Sequence, residues 1–217
     1  MLDRLRAHRR RPVRRTVAVS LFLALLVVGV SGCTSDDDEP KPAADPTPTR
    51  GSTAVMEPKP APVEVRVTRV AGRMKQKDQD VLADKVGSVV STYFDDAFLG
   101  GDYPRSSFGD AFGTFTAGAA QQARRDQGLL TNRRLGPTTE SVTALRQTAY
   151  LAVLAPHRTA AGVTAKVHLR YLVDRGDRSD RAVTVKGRLL LTRTDDGGWK
   201  IFGYDLTQSA TPVGEGS

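Results

Sequence analysis

Apolar residues between positions 78 and 99 recur at spacings of three and four, which is the period of an amphipathic α-helix. Leu82, Val86 and Tyr93 belong to this apolar stripe. We therefore expect a helix over residues 78–99 that packs its stripe against a sheet. Asp78 is suited to cap the start of this helix, and Gly100-Gly101 is suited to end it in a left-handed turn.

Residues 104–128 predict shorter helices. Pro104 suits a first helical turn, and Ser107 with Asp110 has the spacing of a capping box. Thr116 can cap a further helix, which Gly128 would end.

From residue 142 onward the period of the pattern changes to two, which is typical of β-strands. Residues 142–154, 163–173 and 183–191 predict three long strands, and TDDGG at 194–198 predicts a hairpin turn. A last strand begins at Trp199 and ends near Leu206, and the alternation at 63–68 predicts a short entry strand. The pattern as a whole predicts an α+β domain, in which N-terminal helices pack on a curved antiparallel sheet of four strands or slightly more.

The first 32 residues have the layout of a secretory leader. Seven arginines and one aspartate occupy residues 1–15, and residues 17–30 then form fourteen positions without a charge. Fourteen helical residues reach about 21 Å, which is less than the roughly 30 Å hydrocarbon core of a bilayer. A cleaved signal peptide over residues 1–32 therefore explains the pattern better than a membrane-spanning helix.

Cys33, the single cysteine of the chain, follows this leader directly. Val30, Ser31, Gly32 and Cys33 resemble the recognition box of bacterial lipoproteins, in which an aliphatic residue and two small residues precede a cysteine. The resemblance implies that Cys33 is acylated and anchors the protein on the extracytoplasmic face of the cell membrane. An uncleaved signal anchor and a buried free cysteine are the alternatives. Arg14-Arg15 leaves open whether export uses the general secretory or the twin-arginine route.

Residues 34–61 are rich in Pro, Asp, Ser and Thr and poor in large apolar side chains, a composition typical of a disordered tether. We therefore divide the chain into four parts. They are a lipoprotein signal peptide (1–32), the lipidated cysteine and its tether (33–61), a single α+β domain (62–208) and a flexible tail (209–217).

The charge of the chain lies largely in the leader. Residues 1–32 carry +6 of the formal net charge of +8, so +2 remains from Cys33 onward. The basic isoelectric point is therefore not evidence for nucleic-acid binding, and we expect no nucleic-acid partner. The pairs Arg124-Arg125 and Arg133-Arg134 indicate either a solvated surface or contact with anionic lipid headgroups or acidic wall polymers.

The order of the elements resembles a known fold family. A helix, broken helices and four long strands that close on GGWKI at 197–201 resemble the nuclear transport factor 2-like (cystatin-like, cone-shaped) superfamily over residues 76–208. The ending DDGGWKIFGYDL and the step FLGGDY at 98–103 carry the likeness. Stalked lipoproteins of GC-rich Gram-positive bacteria have a similar organisation. The resemblance implies a pocket between the first helix and the curved sheet.

Eight aromatic residues are candidates for the wall of this pocket, or alternatively for ordinary core packing. They are Tyr93, Phe98, Tyr103, Phe112, Phe115, Tyr171, Trp199 and Tyr204. An open pocket of this kind would suit a hydrophobic ligand. An open face of the sheet could instead bind an envelope protein or a second copy of the chain.

A small pocket enzyme of the isomerase or dehydratase type is the alternative function. Such an enzyme needs a carboxylate facing a tyrosine in a dry pocket, for which Asp95 or Asp205 with Tyr103 are candidates. His157 and His168 are the histidines that follow the leader. The chain has no nucleophile elbow, phosphate loop or zinc-ligand spacing, so we expect no cofactor and no metal. The sequence thus favours a non-catalytic binding or assembly module at the cell envelope.

Overall fold

The computed structural model describes residues 62–214. The predicted leader, the lipidation box with Cys33 and the tether lie outside the described residues. Within them, helices precede four long strands, and the predicted entry strand lies before the first helix. The α+β class predicted from the sequence is confirmed.

The first helix, α1 (Gln76–Phe94), confirms the predicted amphipathic stripe. The expected cap is wrong, because the helix begins before Asp78, and its N-cap residue Lys75 makes no side-chain hydrogen bond to it. The buried side chains of α1 include Leu82, Val86, Val90, Tyr93 and Phe94.

A π-helical turn, Asp95–Leu99, continues α1 to the predicted glycine pair. Gly101 has a φ of +88°, a left-handed conformation that glycine adopts without steric cost. The Arg105 guanidinium donates hydrogen bonds to the carbonyl oxygens of Asp96 at 2.9 Å and Gly100 at 2.6 Å. Since the last carbonyls of a helix lack partners within it, Arg105 satisfies acceptors at this end.

The segment between α1 and the long strands differs in detail from the prediction. Pro104 lies in an irregular stretch, and the short 3-10 helix Gly109–Phe112 has no side-chain cap. Helix α2 (Ala117–Arg125) follows Thr116 as predicted, although the Thr116 side chain does not cap it. Gly128 lies inside α3 (Gln127–Leu130) instead of ending α2, because the chain already turns at Asp126. The 3-10 turns Asn132–Arg134 and Gly136–Thr138 then lead into the sheet.

The sheet has five strands in the order β1-β2-β3-β4-β5. They are β1 (Glu64–Gly72), β2 (Ser141–Ala155), β3 (Gly162–Asp174), β4 (Arg181–Arg193) and β5 (Trp199–Pro212). Strands β2 to β5 form the predicted antiparallel meander. The entry strand β1 pairs in parallel with β2, so the sheet is mixed rather than purely antiparallel. Parallel neighbours need a long crossover, which the helices of residues 76–138 supply.

Strand β5 continues beyond its predicted end near Leu206. Residues 209–212, which the sequence assigns to a flexible tail, pair with the start of β4, and Pro212 lies opposite Arg181. These residues are mostly exposed, so no apolar pattern marks them as a strand. Pro212 ends an edge strand, a place where the missing N–H costs no bond within the sheet.

The helices cover one face of the sheet, which we call the inner face. Every second residue of β3, from Val163 to Val173, is buried, and the residues between them are exposed or half-buried. Tyr171 belongs to the buried set, and its ring lies 6.1 Å from that of Phe98, centroid to centroid. Because successive side chains of a strand point to opposite faces, the other residues of β3 lie on the outer face.

The buried stripe of α1 predicts a large effect of truncation. Leu82 is 4% exposed and Val81, its neighbour on the same helix, is 48% exposed. Leu82→Ala should lower the free energy of unfolding by about 2–5 kcal/mol, because it leaves a cavity between helix and sheet. Val81→Ala is the matched control and should change stability by less than about 0.5 kcal/mol. Equal urea-unfolding midpoints for the two variants would contradict the packing described.

Candidate functional site

The eight aromatic candidates include a cluster of rings on the inner side of the sheet. Tyr93 contacts Phe98 and Phe115 edge to face, with centroid distances of 5.8 and 5.2 Å. Phe112 contacts Phe115 in the same way at 5.3 Å. Six of the eight are buried, namely Tyr93, Phe98, Phe112, Phe115, Tyr171 and Trp199. These rings pack against one another within the core, as expected if they serve core packing and do not line a pocket.

Two tyrosine hydroxyls on the inner side bind to neighbouring groups. Tyr93 donates to the carbonyl oxygen of Leu130 at 2.9 Å. Tyr204 donates to the Asp126 carboxylate at 2.6 Å. Burial and this carboxylate raise the pKa of Tyr204 to about 12, while the bond lowers the pKa of Asp126. These hydroxyls anchor the helices to one another and to β5.

A chain of polar contacts passes through the inner side and centres on a residue that the sequence did not indicate. Gln208 donates to the Tyr171 hydroxyl at 3.4 Å, and Tyr171 donates to the side-chain oxygen of Asn132 at 3.3 Å. The Asn132 amide then donates to Tyr103 at 3.3 Å, and Tyr103 donates to the carbonyl oxygen of Phe98 at 2.9 Å. Burial raises the pKa values of Tyr171 and Tyr103, so both stay protonated donors. The hydroxyls of Tyr171 and Tyr103 therefore both donate to structural partners.

No hydrogen bond joins the candidate catalytic groups to one another within residues 62–214. Asp95 lies where α1 passes into its π-helical turn, and Tyr103 binds the carbonyl of Phe98. His157 is exposed in the turn between β2 and β3. His168 and Asp205 both lie on the outer face, but their strands are about 10 Å apart and the two residues are also two positions apart in register. Among the described residues, neither Asp95 nor Asp205 therefore shares a hydrogen bond with Tyr103.

His168 and Asp205 instead border a groove of about 510 Å³ on the outer face, which we call the outer groove. Strand register explains its composition, because it aligns polar side chains from four strands in rows. One row is Thr148, His168, Lys186 and Thr207, and the next is Tyr150, Lys166, Arg188 and Asp205. Arg146 lies one row further along β2 and also lines the groove.

Positive charge dominates the outer groove. Within residues 62–214, Arg188 forms a 2.6 Å ion pair with Asp205, whereas Arg146, Lys166 and Lys186 form none. Burial, and then the charges of Arg146, Lys186 and Arg170, lower the pKa of His168 below its ordinary value of 6.5. The uncompensated cations thus produce a positive field that an anion would neutralise.

The outer groove has two further features, a buried hydroxyl without a partner among the described residues and a close approach of two strands. The Thr148 hydroxyl is buried and has no hydrogen-bond partner among the described residues, although a buried polar group normally has one. Gly187, with a φ of +144°, lines the groove, and a Cβ there would lie 2.0 Å from the carbonyl oxygen of Asp205. Only glycine allows β5 to approach β4 so closely at this point.

The sequence contains a partial signal for the outer groove. Lys166, His168 and Arg170 alternate with apolar residues, which places three basic side chains on one face of β3. Alternation alone does not show which residues of β2 and β4 lie beside them. Arg146 and Lys186 join the group through the register of three strands.

No known family model matches the chain, and comparisons with curated proteins and with solved structures found no match. Between residues 62 and 214, no group of three or more His, Cys, Asp or Glu side chains could hold a metal ion. In the same range, no helix combines the length and apolar character needed to cross a membrane.

The electrostatics of the groove predict a titration. His168 should titrate below pH 6.5, and Lys186→Gln should raise its pKa, because removing a neighbouring cation stabilises the imidazolium. The imidazole proton shifts in NMR spectra recorded against pH measure both values. Arg124→Gln, on a helix of the inner side, is the charge-matched control and should leave the His168 curve in place. A His168 pKa that is identical in all three proteins would disprove the field described.

Proposed function

We propose that this chain is a bacterial lipoprotein, anchored through acylated Cys33 to the extracytoplasmic face of the cell membrane. The apolar stretch that ends at Val30, the small residues Ser31 and Gly32, and the acidic and Pro-rich segment after Cys33 support this proposal. Two or three acyl chains hold a protein at a membrane firmly, since each buried CH2 contributes about 0.8 kcal/mol. The protein would then act at the cell envelope.

We also propose that residues 62–214 form a nuclear transport factor 2-like domain. A long first helix packed on one face of a meander of four antiparallel strands agrees with that layout. The entry strand β1 was expected, but its parallel pairing with β2 differs from the purely antiparallel sheet of the expected pattern. The finer family assignment rests on this layout alone.

The domain acts in this proposal as a non-catalytic binding module, and its binding surface is the outer groove. One observation carries the choice: the rings of the inner side contact one another, while the outer groove combines open volume with unpaired cations. A site with open volume and a few convergent polar groups is typical of ligand binding. The groove favours an anionic partner over the purely hydrophobic ligand that an aromatic pocket would suit.

The anchor is tested by Cys33→Ala. Because acylation needs the thiol, cells that express this variant and are fed an alkyne fatty acid should incorporate no label into it. The wild-type chain should be labelled and should fractionate with membranes. Ser31→Ala, which keeps a small residue in the box, is the control and should be labelled normally. Equal labelling of wild type and Cys33→Ala would show that the proposed anchor is wrong.

The binding role is tested by native mass spectrometry of the unlipidated chain, residues 34–217. We expect an anionic species to co-purify or to bind when added, and Lys186→Gln to reduce its occupancy. Turnover of a substrate that Asp205→Asn abolishes, with folding intact, would favour the enzyme alternative instead.

A further inference from the structure

We propose that the outer face of the sheet docks on an anionic lipid surface, with the outer groove accepting the phosphate of a lipid headgroup. This inference rests on the proposed binding role and names its partner. It assigns a second membrane contact that is separate from the Cys33 anchor.

The first argument is charge. Arg146, Lys166, Lys186 and Arg170 share the outer face, and none of the four has an ion-pair partner within the described residues. Two carboxylates lie on this part of the face and both are paired, Asp205 with Arg188 and Glu64, which lies beside Thr148, with Arg66. Each basic residue near an anionic membrane contributes about 1 kcal/mol of attraction. The face therefore has a charge that phosphate groups complement.

The second argument is the hydrogen bonding of the groove. The Thr148 hydroxyl is 2% exposed, lines the groove and has no partner among the described residues. His168 lies directly opposite it, followed by Lys186 on the next strand. A phosphate oxygen placed in this row would accept a hydrogen bond from the hydroxyl and charge-assisted bonds from its neighbours.

The third argument is the apolar end of the same face. Ala152, Thr164 and Leu190 form the row beyond Tyr150 and Lys166. Leu154 and Phe202 border a shallow groove of about 200 Å³ there and are 54% and 51% exposed. Apolar side chains beside cations are the combination that binds a lipid interface, where rings and aliphatic groups enter the acyl boundary and cations contact phosphate.

Two other occupants fit less well. A second copy of the chain, docked face to face, would bring like charges such as Lys166 and Lys186 together. The acidic run at residues 36–39 could reach the groove, since the 22 residues of 40–61 extend to about 75 Å at most. That run has no apolar side chain to cover Leu154 and Phe202. A lipid surface satisfies both the charge and the apolar rows.

The test uses the chain from residue 33 onward with Cys33→Ser, so that no acyl chain contributes. Flotation compares vesicles of phosphatidylcholine with vesicles in which a third of the lipid is phosphatidylglycerol. We expect binding to the anionic vesicles only. Arg146→Gln with Lys186→Gln should weaken it about 25-fold, because each cation lost weakens binding about fivefold. Phe202→Ser should also weaken it.

The matched control is Arg124→Gln with Arg125→Gln, which removes the same charge from α2 on the inner side. This control should bind within about twofold of the unmodified chain, and thermal melting verifies that both double variants are folded. Equal loss in both double variants, or equal binding to both vesicle types, would overturn the proposal. So would binding that appears only after Asp36, Asp37, Asp38 and Glu39 are neutralised, or self-association that the groove variant abolishes.

These outcomes separate the docking from the anchor. Fatty-acid labelling at Cys33 without vesicle binding by the Cys33→Ser chain would leave the anchor standing and reject the docking. Inorganic phosphate that saturates the groove and leaves vesicle binding unchanged would also reject the headgroup site.

Discussion

The rings of Phe98 and Tyr171 meet between the end of α1 and strand β3, and with Tyr93 they join the two layers of the domain. The chain has no second cysteine, so no disulfide within it can reinforce this contact. The Phe98 and Tyr171 rings are tilted by 46° to each other, and Phe115 contacts Tyr204 of β5 edge to face, so buried aromatic contacts contribute to the cohesion between the layers. The hydrogen-bonded chain through Asn132 then fixes how the short helices lie over these rings.

This packing has a consequence for the opposite side of the sheet. The helices of residues 76–138 cover the inner face, and no described helix covers the outer face. An antiparallel sheet tolerates water on one face when its side chains alternate, and β3 follows that rule from Val163 to Val173. The same alternation that forms the core therefore concentrates the polar residues of four strands on the outer face. The outer groove therefore follows from the packing of the apolar residues on the inner face.

Local charge matters more for this protein than total charge. Most of the formal +8 belongs to the predicted leader, and the rest of the chain is nearly balanced. On the outer face, however, Arg146, Lys166 and Lys186 lie together, and the two described carboxylates beside them, Glu64 and Asp205, are paired with Arg66 and Arg188. Burial first, and then the charges of Arg146, Lys186 and Arg170, lower the pKa of His168. A nearly neutral chain can thus present a cationic surface to its surroundings.

The amino-acid sequence by itself determined the elements: the period of three to four predicted α1, the period of two predicted β2 to β5, and TDDGG predicted the last hairpin. These features are local, so they can be read within a few residues. The parallel pairing of β1 with β2 could not be read in this way, because its partners lie more than eighty residues apart. The local pattern also did not show the hydrogen bonds of Asn132 or the extension of β5 beyond Leu206. It did not show that Arg146 and Lys186 lie on either side of β3. Register and packing decide which distant side chains become neighbours, and only the tertiary structure contains that information.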